Sequence, residues 1–318
     1  MFVYHSPAVT RTDEFQLVLD DSWKKFSVTW KKARIKASEK SIHDLRVSTR
    51  RFIAILELVQ ALSKSDEIGK VRRNFKKVLK GMGPLRDVQV QLNHVSQMKQ
   101  VDLLPAFRRR LKRRERREIE NIQNQLKYGK RRRLRKAVKL VRSELNRLDE
   151  SVGEDRITRG VERLLALRRN KFLKLQRQLH GFQRLDEQAL HETRVALKKL
   201  RYVIEAAQPV IGSSALKGAR KMQALQRLMG DSRDIALVGA ELEEWAKKKG
   251  RTIAIIPALQ RLKDKRESLI RRVVDASSGL EKTLEPETAQ VIAETTQVVV
   301  SQPQVVVSPV PADLPRVQ

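Results

Sequence analysis

The stretch His43-Asp44-Leu45-Arg46-Val47-Ser48-Thr49-Arg50-Arg51 returns about half the chain later as His191-Glu192-Thr193-Arg194-Val195-Ala196-Leu197-Lys198-Lys199. Glu57 and Glu205 fall in step with it, so the register holds for fifteen positions. A second pair follows at nearly the same offset: Met82-Gly83-Pro84-Leu85-Arg86-Asp87-Val88 and Met229-Gly230-Asp231-Ser232-Arg233-Asp234-Ile235. Two motifs repeated in the same order mark a duplication. What recurs is mostly cationic, which points to two matched surfaces built to hold one anion-rich object.

Around these motifs, apolar residues recur at helical spacing up to about residue 280, and the alternation of β-strands is nearly absent. The fold class is therefore all-α. Helix-ending residues cluster at Ser63-Lys64-Ser65, Lys80 to Pro84, Tyr128-Gly129, Ser151 to Gly153, Gly181, Pro209 to Ser214, Gly230-Asp231-Ser232 and Lys249-Gly250. They divide the chain into about ten helices. We expect one helical domain over residues 1–282, with halves at about 10–127 and 155–282. An Arg-rich connection, Pro105 to Asn146, closes the first half and leads into the second. From Thr283 to Gln318 the composition shifts to four acidic residues, one basic, five Pro and two Val triplets, which reads as a flexible tail.

On a helix, His43, Arg46 and Arg50 fall within a stripe of about 60°. Ile42, Leu45, Phe52, Ile53 and Leu56 form the apolar stripe beside it. The cations thus sit on the shoulder of the buried face, where a groove between helices is lined, and not opposite the core. In the second copy His191, Arg194 and Lys198 take these places and Arg201 extends the stripe, with Leu190, Leu197, Leu200 and Ile204 as core. Arg51 and Lys199 point further round, away from the core. A lone His beside a helix core is ordinarily a packed structural residue; two copies with the same neighbouring Arg weigh against that reading.

The next helix repeats the logic, Arg73 aligning with Arg220 and Lys80 with Arg227. Lys76 and Lys77 have no basic counterparts, so the halves are similar without being equivalent. Arg86 and Arg233 follow Gly-containing turns at expected helix starts, where a cation and a helix N-terminus together suit a phosphate. Asp87 and Asp234 beside them read as helix-orienting or Arg-pairing groups.

Of 318 residues, 68 are Lys or Arg and 37 Asp or Glu, a formal net charge of +31; setting aside the tail's −3 leaves about +34 on the helical body. Such an excess needs an anionic partner: nucleic acid, anionic membrane or polyphosphate. Zero Cys excludes disulfides, thiolate zinc sites and Cys nucleophiles and fits a reducing cytosol. No signal-peptide pattern opens the chain and no stretch approaches the roughly 20 apolar residues of a membrane span, so a cytoplasmic protein is expected. P-loop, His-Glu-x-x-His, nucleophile-elbow and metal-spaced carboxylate patterns are all missing. We expect binding without turnover, with no cofactor and no metal.

At the repeated His-x-x-Arg-Val segments the chain resembles the CHAD family, the conserved histidine α-helical domain, over about residues 10–280. The resemblance implies two pseudo-symmetric four-helix bundles around a basic central cavity that binds long-chain inorganic polyphosphate, and an association with polyphosphate granules. It carries ligand roles onto His43, Arg46, Arg50 and Arg51, and onto His191, Arg194, Lys198 and Lys199. The two lysines keep the charge but lose bidentate geometry. The residues agree with such a ligand: polyphosphate offers charge and no bases, and Phe, Tyr and Trp total only 14, few of them near the motifs. Nucleic acid held through phosphate contacts is the second choice, and a polyphosphate-processing enzyme the third.

Overall fold

A computed structural model describes residues 10–98, 104–127, 130–151, 153–180, 187–212 and 218–300. These residues are almost wholly helical, with no strand among them. The expected breaks at Tyr128-Gly129, Gly181 and Ser213-Ser214, and the last part of the tail, lie outside the described residues.

Helix α1 (Arg11–Ile35) opens on a capping box, in which Thr10 and Asp13 each satisfy the other's backbone N–H. Ser38 caps α2 (Glu39–Ser63) and Ser65 caps α3 (Asp66–Gly81), each by accepting a first-turn N–H. Then follow α4 (Gly83–Gln97), α5 (Leu104–Lys127), α6 (Lys130–Ser151), α7 (Glu154–His180), α8 (Glu187–Ile211), α9 (Ala219–Lys248) and α10 (Ile256–Val300).

One sequence expectation changes. The break at Gly230-Asp231-Ser232 does not occur, because α9 runs straight through it. A single glycine weakens a helix by only about 1 kcal/mol, and Asp231 keeps the N–H that Pro84 lacks at the matching place in the first half. Helix α10 runs from Ile256 to Val300, past residue 282.

In the second half α7 packs on α8 and α10, and α9 on α8 and α10, which closes a four-helix bundle. The first half packs α1 on α2, α2 on α3 and α4 on α5, with α3 and α4 together in the place of α9; α6 lies against α1, α2 and α3. The halves meet chiefly through α2 on α8 and α4 on α9, the helices that carry the repeated motifs. All the core residues read from the motif helices are buried, Ile53 only partly.

Candidate functional site

The junction of α2, α4, α8 and α9 gathers Arg46, Arg50, Arg86, Arg194, Lys198 and Arg233 into one electrostatic cluster, with Asp87 and Asp234 as its carboxylates. Arg46 donates from Nη1 to the carbonyl of Leu79 at 3.2 Å, which holds it between α2 and the end of α3. Arg86 donates to Glu39 Oε1 at 2.6 Å, so the first residue of α2 anchors a cation of α4. Arg194 is buried, and its Nε has no hydrogen-bond partner. A cleft of about 480 Å³ lies over this side of the junction, bordered by His191, Arg194, Met229 and Arg233.

Six basic groups against Asp87, Asp234 and the Glu39 that pairs with Arg86 leave the cluster under-neutralised, and the proton equilibria show it. Burial first, then Arg50, brings Arg46 down to about 10, with Asp87 opposing. Burial and then Arg233 bring Arg194 down to about 10. Lys198 is lowered furthest, to about 6, by burial and then by Arg194, Arg50 and Arg46, with Asp234 alone opposing. His43 and His191 are both pushed below the ordinary histidine value, by partial burial and then by Arg86 and Arg194 respectively. Burial raises Asp234 even though Arg233 and Arg86 oppose it. Every shift on a basic group favours its neutral form, so added negative charge at the junction would favour the protonated forms again.

The structure brings His43, Arg46, Arg50, Arg86, His191, Arg194, Lys198 and Arg233 together, and sends the other sequence candidates elsewhere. Arg51 pairs with Glu205 at 3.3 Å, and Arg201 reaches the same carboxylate at 3.3 Å. Glu205 thus engages the cation that was expected to extend the stripe, because a Glu four residues on lies on the same helix face. Lys199 faces a separate group made by Glu57, Arg168, Lys171 and Arg72. Arg73, Lys80, Arg220 and Arg227 are exposed along α3 and α9. Arg233 lies in the middle of α9, so the expected pairing of its charge with a helix N-terminus holds only for Arg86, three residues into α4.

Sequence reasoning missed the task of the two in-register glutamates. Glu57 is buried, bonded to Arg168 of α7 and 3.8 Å from Arg72; Glu205 joins α8 to Arg51 of α2. Each glutamate ties one half to the other, and their shared register was the available signal. Glu39 and His94 were also missed. His94 is half-buried and lies in the field of Lys265, Asp234 and Asp231.

The Arg-rich run on α5 divides by face. Arg110 and Arg114 each lie 3.1 Å from the carboxylate of Glu241 on α9, while Arg108, Arg109, Lys112, Arg113, Arg116 and Arg117 are exposed. No described helix is long and apolar enough to cross a membrane.

Among solved structures, the fold is similar to the crystal structure of the CHAD domain from the plant Ricinus communis, with a TM-score of 0.65 and 17% identity, covering 89% of this chain and 94% of that one. It is also similar to PptA from Streptomyces chartreusis, with a TM-score of 0.53 and 16% identity over 87% of this chain and 99% of that one. At these identities the likeness is one of fold. Among curated proteins nothing matches the chain. The family model described as CHAD domain matches residues 18–243, well over half of the sequence and every motif residue of the basic junction, and the chain belongs to that family.

Proposed function

We propose that this protein binds long-chain inorganic polyphosphate at the junction of its halves and does not turn it over. The observation that carries the reading is the convergence of Arg46, Arg50, Arg86, Arg194, Lys198 and Arg233 from four helices, with only Asp87, Asp234 and Glu39 against them. Holding so many cations together costs stability that a polyanion would return, since each phosphate supplies the missing counter-charge. Membership of the CHAD family, some of whose members bind polyphosphate, supports the same ligand. The cluster offers guanidinium, ammonium and imidazole groups with two arginine-facing aspartates. That chemistry holds phosphate without transferring it. The reading extends to an association with polyphosphate granules in the cytoplasm, where such a ligand would be concentrated.

Nucleic acid is the second reading, favoured by one observation: the exposed outer face of α5 can contact a phosphate backbone without using the junction. Competition of labelled long-chain polyphosphate against duplex DNA and ATP at physiological salt separates the two. The first reading expects polyphosphate to displace DNA, and orthophosphate to bind far more weakly than the polymer. Equal affinity for phosphate and polyphosphate, or preference for DNA, overturns it.

A further inference from the structure

Apart from Gly239, whose Cβ would make an ordinary contact with Leu262 at 3.9 Å, the described glycines within helices fall into two groups. Gly69, Gly81 and Gly160 are packing glycines, since a Cβ on any of them would meet a neighbouring side chain at 2.5 to 2.7 Å. Gly83, Gly230 and Gly279 have nothing within 4 Å of that Cβ position. None of these three has a positive φ, so in mid-helix Gly230 and Gly279 are not demanded by backbone conformation, whereas Gly83 also relieves the crowding that the Pro84 ring imposes on a Cβ of the residue before it. A helix gives up stability by carrying glycine where alanine would fit, so an open helical glycine needs another reason.

For Gly83 and Gly230 the surroundings supply one. They occupy the same place in the two copies of the second motif. Arg86 and Asp87 lie three and four residues beyond Gly83, and Arg233 and Asp234 three and four beyond Gly230, so each glycine shares a helix face with one cation and one carboxylate of the junction. Arg46 adds a second cation near Gly83, because its guanidinium sits on the carbonyl of Leu79, one turn earlier. Arg233 and Met229, on either side of Gly230, border the cleft that Arg194 and His191 also line. Both glycines therefore leave a bare stretch of main chain beside the basic cluster.

We propose that Gly83 and Gly230 are specificity-determining positions: notches in α4 and α9 that let a phosphate group of a slender chain lie against the backbone, between cations from two helices. The inference rests on the junction being the polyphosphate site. A methyl group at Gly230 would meet no neighbouring side chain, and one at Gly83 would meet only the Pro84 ring beside it; either would hold the chain off the backbone and away from Arg46, Arg86 and Arg233. A duplex is too thick to enter a notch of this size, so the notch selects the thin polyanion over the thick one.

The test uses the full chain with Gly83→Ala, Gly230→Ala, the double variant and, as control, Gly279→Ala, which fills equally open space in α10. Thermal unfolding without ligand should show Gly230→Ala and Gly279→Ala at least as stable as wild type, and Gly83→Ala slightly less stable because it precedes Pro84, so the single Gly230→Ala variant reads the effect free of any loss of stability. Titration with long-chain polyphosphate should show a loss of about tenfold in the double variant and none in the control, the equivalent of one good interaction. Because no charge is removed, the slope of affinity against salt should stay unchanged, and duplex DNA binding should be unaffected. A double variant that is stable and binds polyphosphate like wild type overturns the inference alone. One that loses DNA and polyphosphate equally also overturns it. Failure of wild type to bind polyphosphate overturns the site reading itself, and the notch with it.

Discussion

The two halves place the same motifs on different scaffolds. In the first, Met82-Gly83-Pro84 interrupts the helix: Pro84 has no N–H, Met82 donates to Lys80 instead, and α3 gives way to α4 just before Arg86. In the second, Asp231 stands where Pro84 does and α9 runs unbroken. The cores differ as well. Trp23, Phe26, Trp30, Phe52 and Phe75 form an aromatic stack in the first half, with Phe52 and Phe75 at 4.6 Å, whereas Leu200 and Met222 stand at the places matching Phe52 and Phe75. The site differs by one exchange that matters, Arg50 against Lys198. Duplication set the position of the charges, and each copy was then free to change how rigidly and how permanently it holds them.

The largest expected effect lies in the cores. Phe52→Ala should destabilise by about 3–5 kcal/mol, and Leu200→Ala by about 2–4 kcal/mol, because the aromatic stack loses ring-on-ring attraction as well as volume. Chemical denaturation of both variants checks the order, and a reversed order would show the first half to be the looser one. Next comes Asp231→Pro, which places the first half's proline in the second. It should cost about 3 kcal/mol, since α9 has no bend prepared for it. A variant as stable as wild type would mean that the second half already tolerates the break.

At the site, Arg46→Ala with Arg194→Ala should reduce the salt slope of polyphosphate binding by about 2, one for each phosphate that is no longer neutralised. Helicity and thermal stability should change little, because relief of cation crowding offsets the poorer packing. Lys112→Ala with Arg113→Ala removes equal charge from the exposed face of α5. An equal reduction in that control would make the whole surface, and not the junction, the binding element.

Legibility from sequence followed the same divide between local and non-local chemistry. Helical periodicity and caps such as Ser38 and Ser65 act within a few residues, so the all-α class and most helix ends could be read. The shoulder position of Arg46 and Arg194 could be read as well, because the motif carries its own core residues with it. The partner of each cation could not. Helix geometry turns Arg51 and Lys199 away from the stripe, but that Glu205 and Glu57 face them shows only once α2 and α8 are packed. Gly230 misled for a related reason: glycine marks a weak point in a helix, and only the residue after it decides whether the helix breaks.

The smallest expected effect discriminates most finely between the halves, and concerns pH. In the free protein Lys198 is held near 6 by burial and by Arg194, Arg50 and Arg46, against Asp234 alone. Between that value and the ordinary lysine range the unfolded chain carries a proton here that the folded protein does not. This residue therefore makes folding more favourable as pH rises through the window. Binding a polyanion reverses the balance, because phosphate oxygens favour the ammonium form, so binding near pH 7 takes up a proton and affinity falls as pH rises from about 6 to about 8. His43 and His191, pushed below the usual histidine value of about 6.5, contribute mainly at the acid end of this range. Lys198→Arg should flatten the dependence between pH 7 and 8, since a guanidinium stays charged there, and should make the second half resemble the first. Exchanging both histidines for Gln should leave that part of the curve in place. Binding isotherms across pH for wild type, Lys198→Arg and the double Gln variant decide the matter. If the curve flattens only when the histidines are replaced, the imidazoles carry the proton linkage, and the lysine of the second half is as permanent a cation as the arginine of the first.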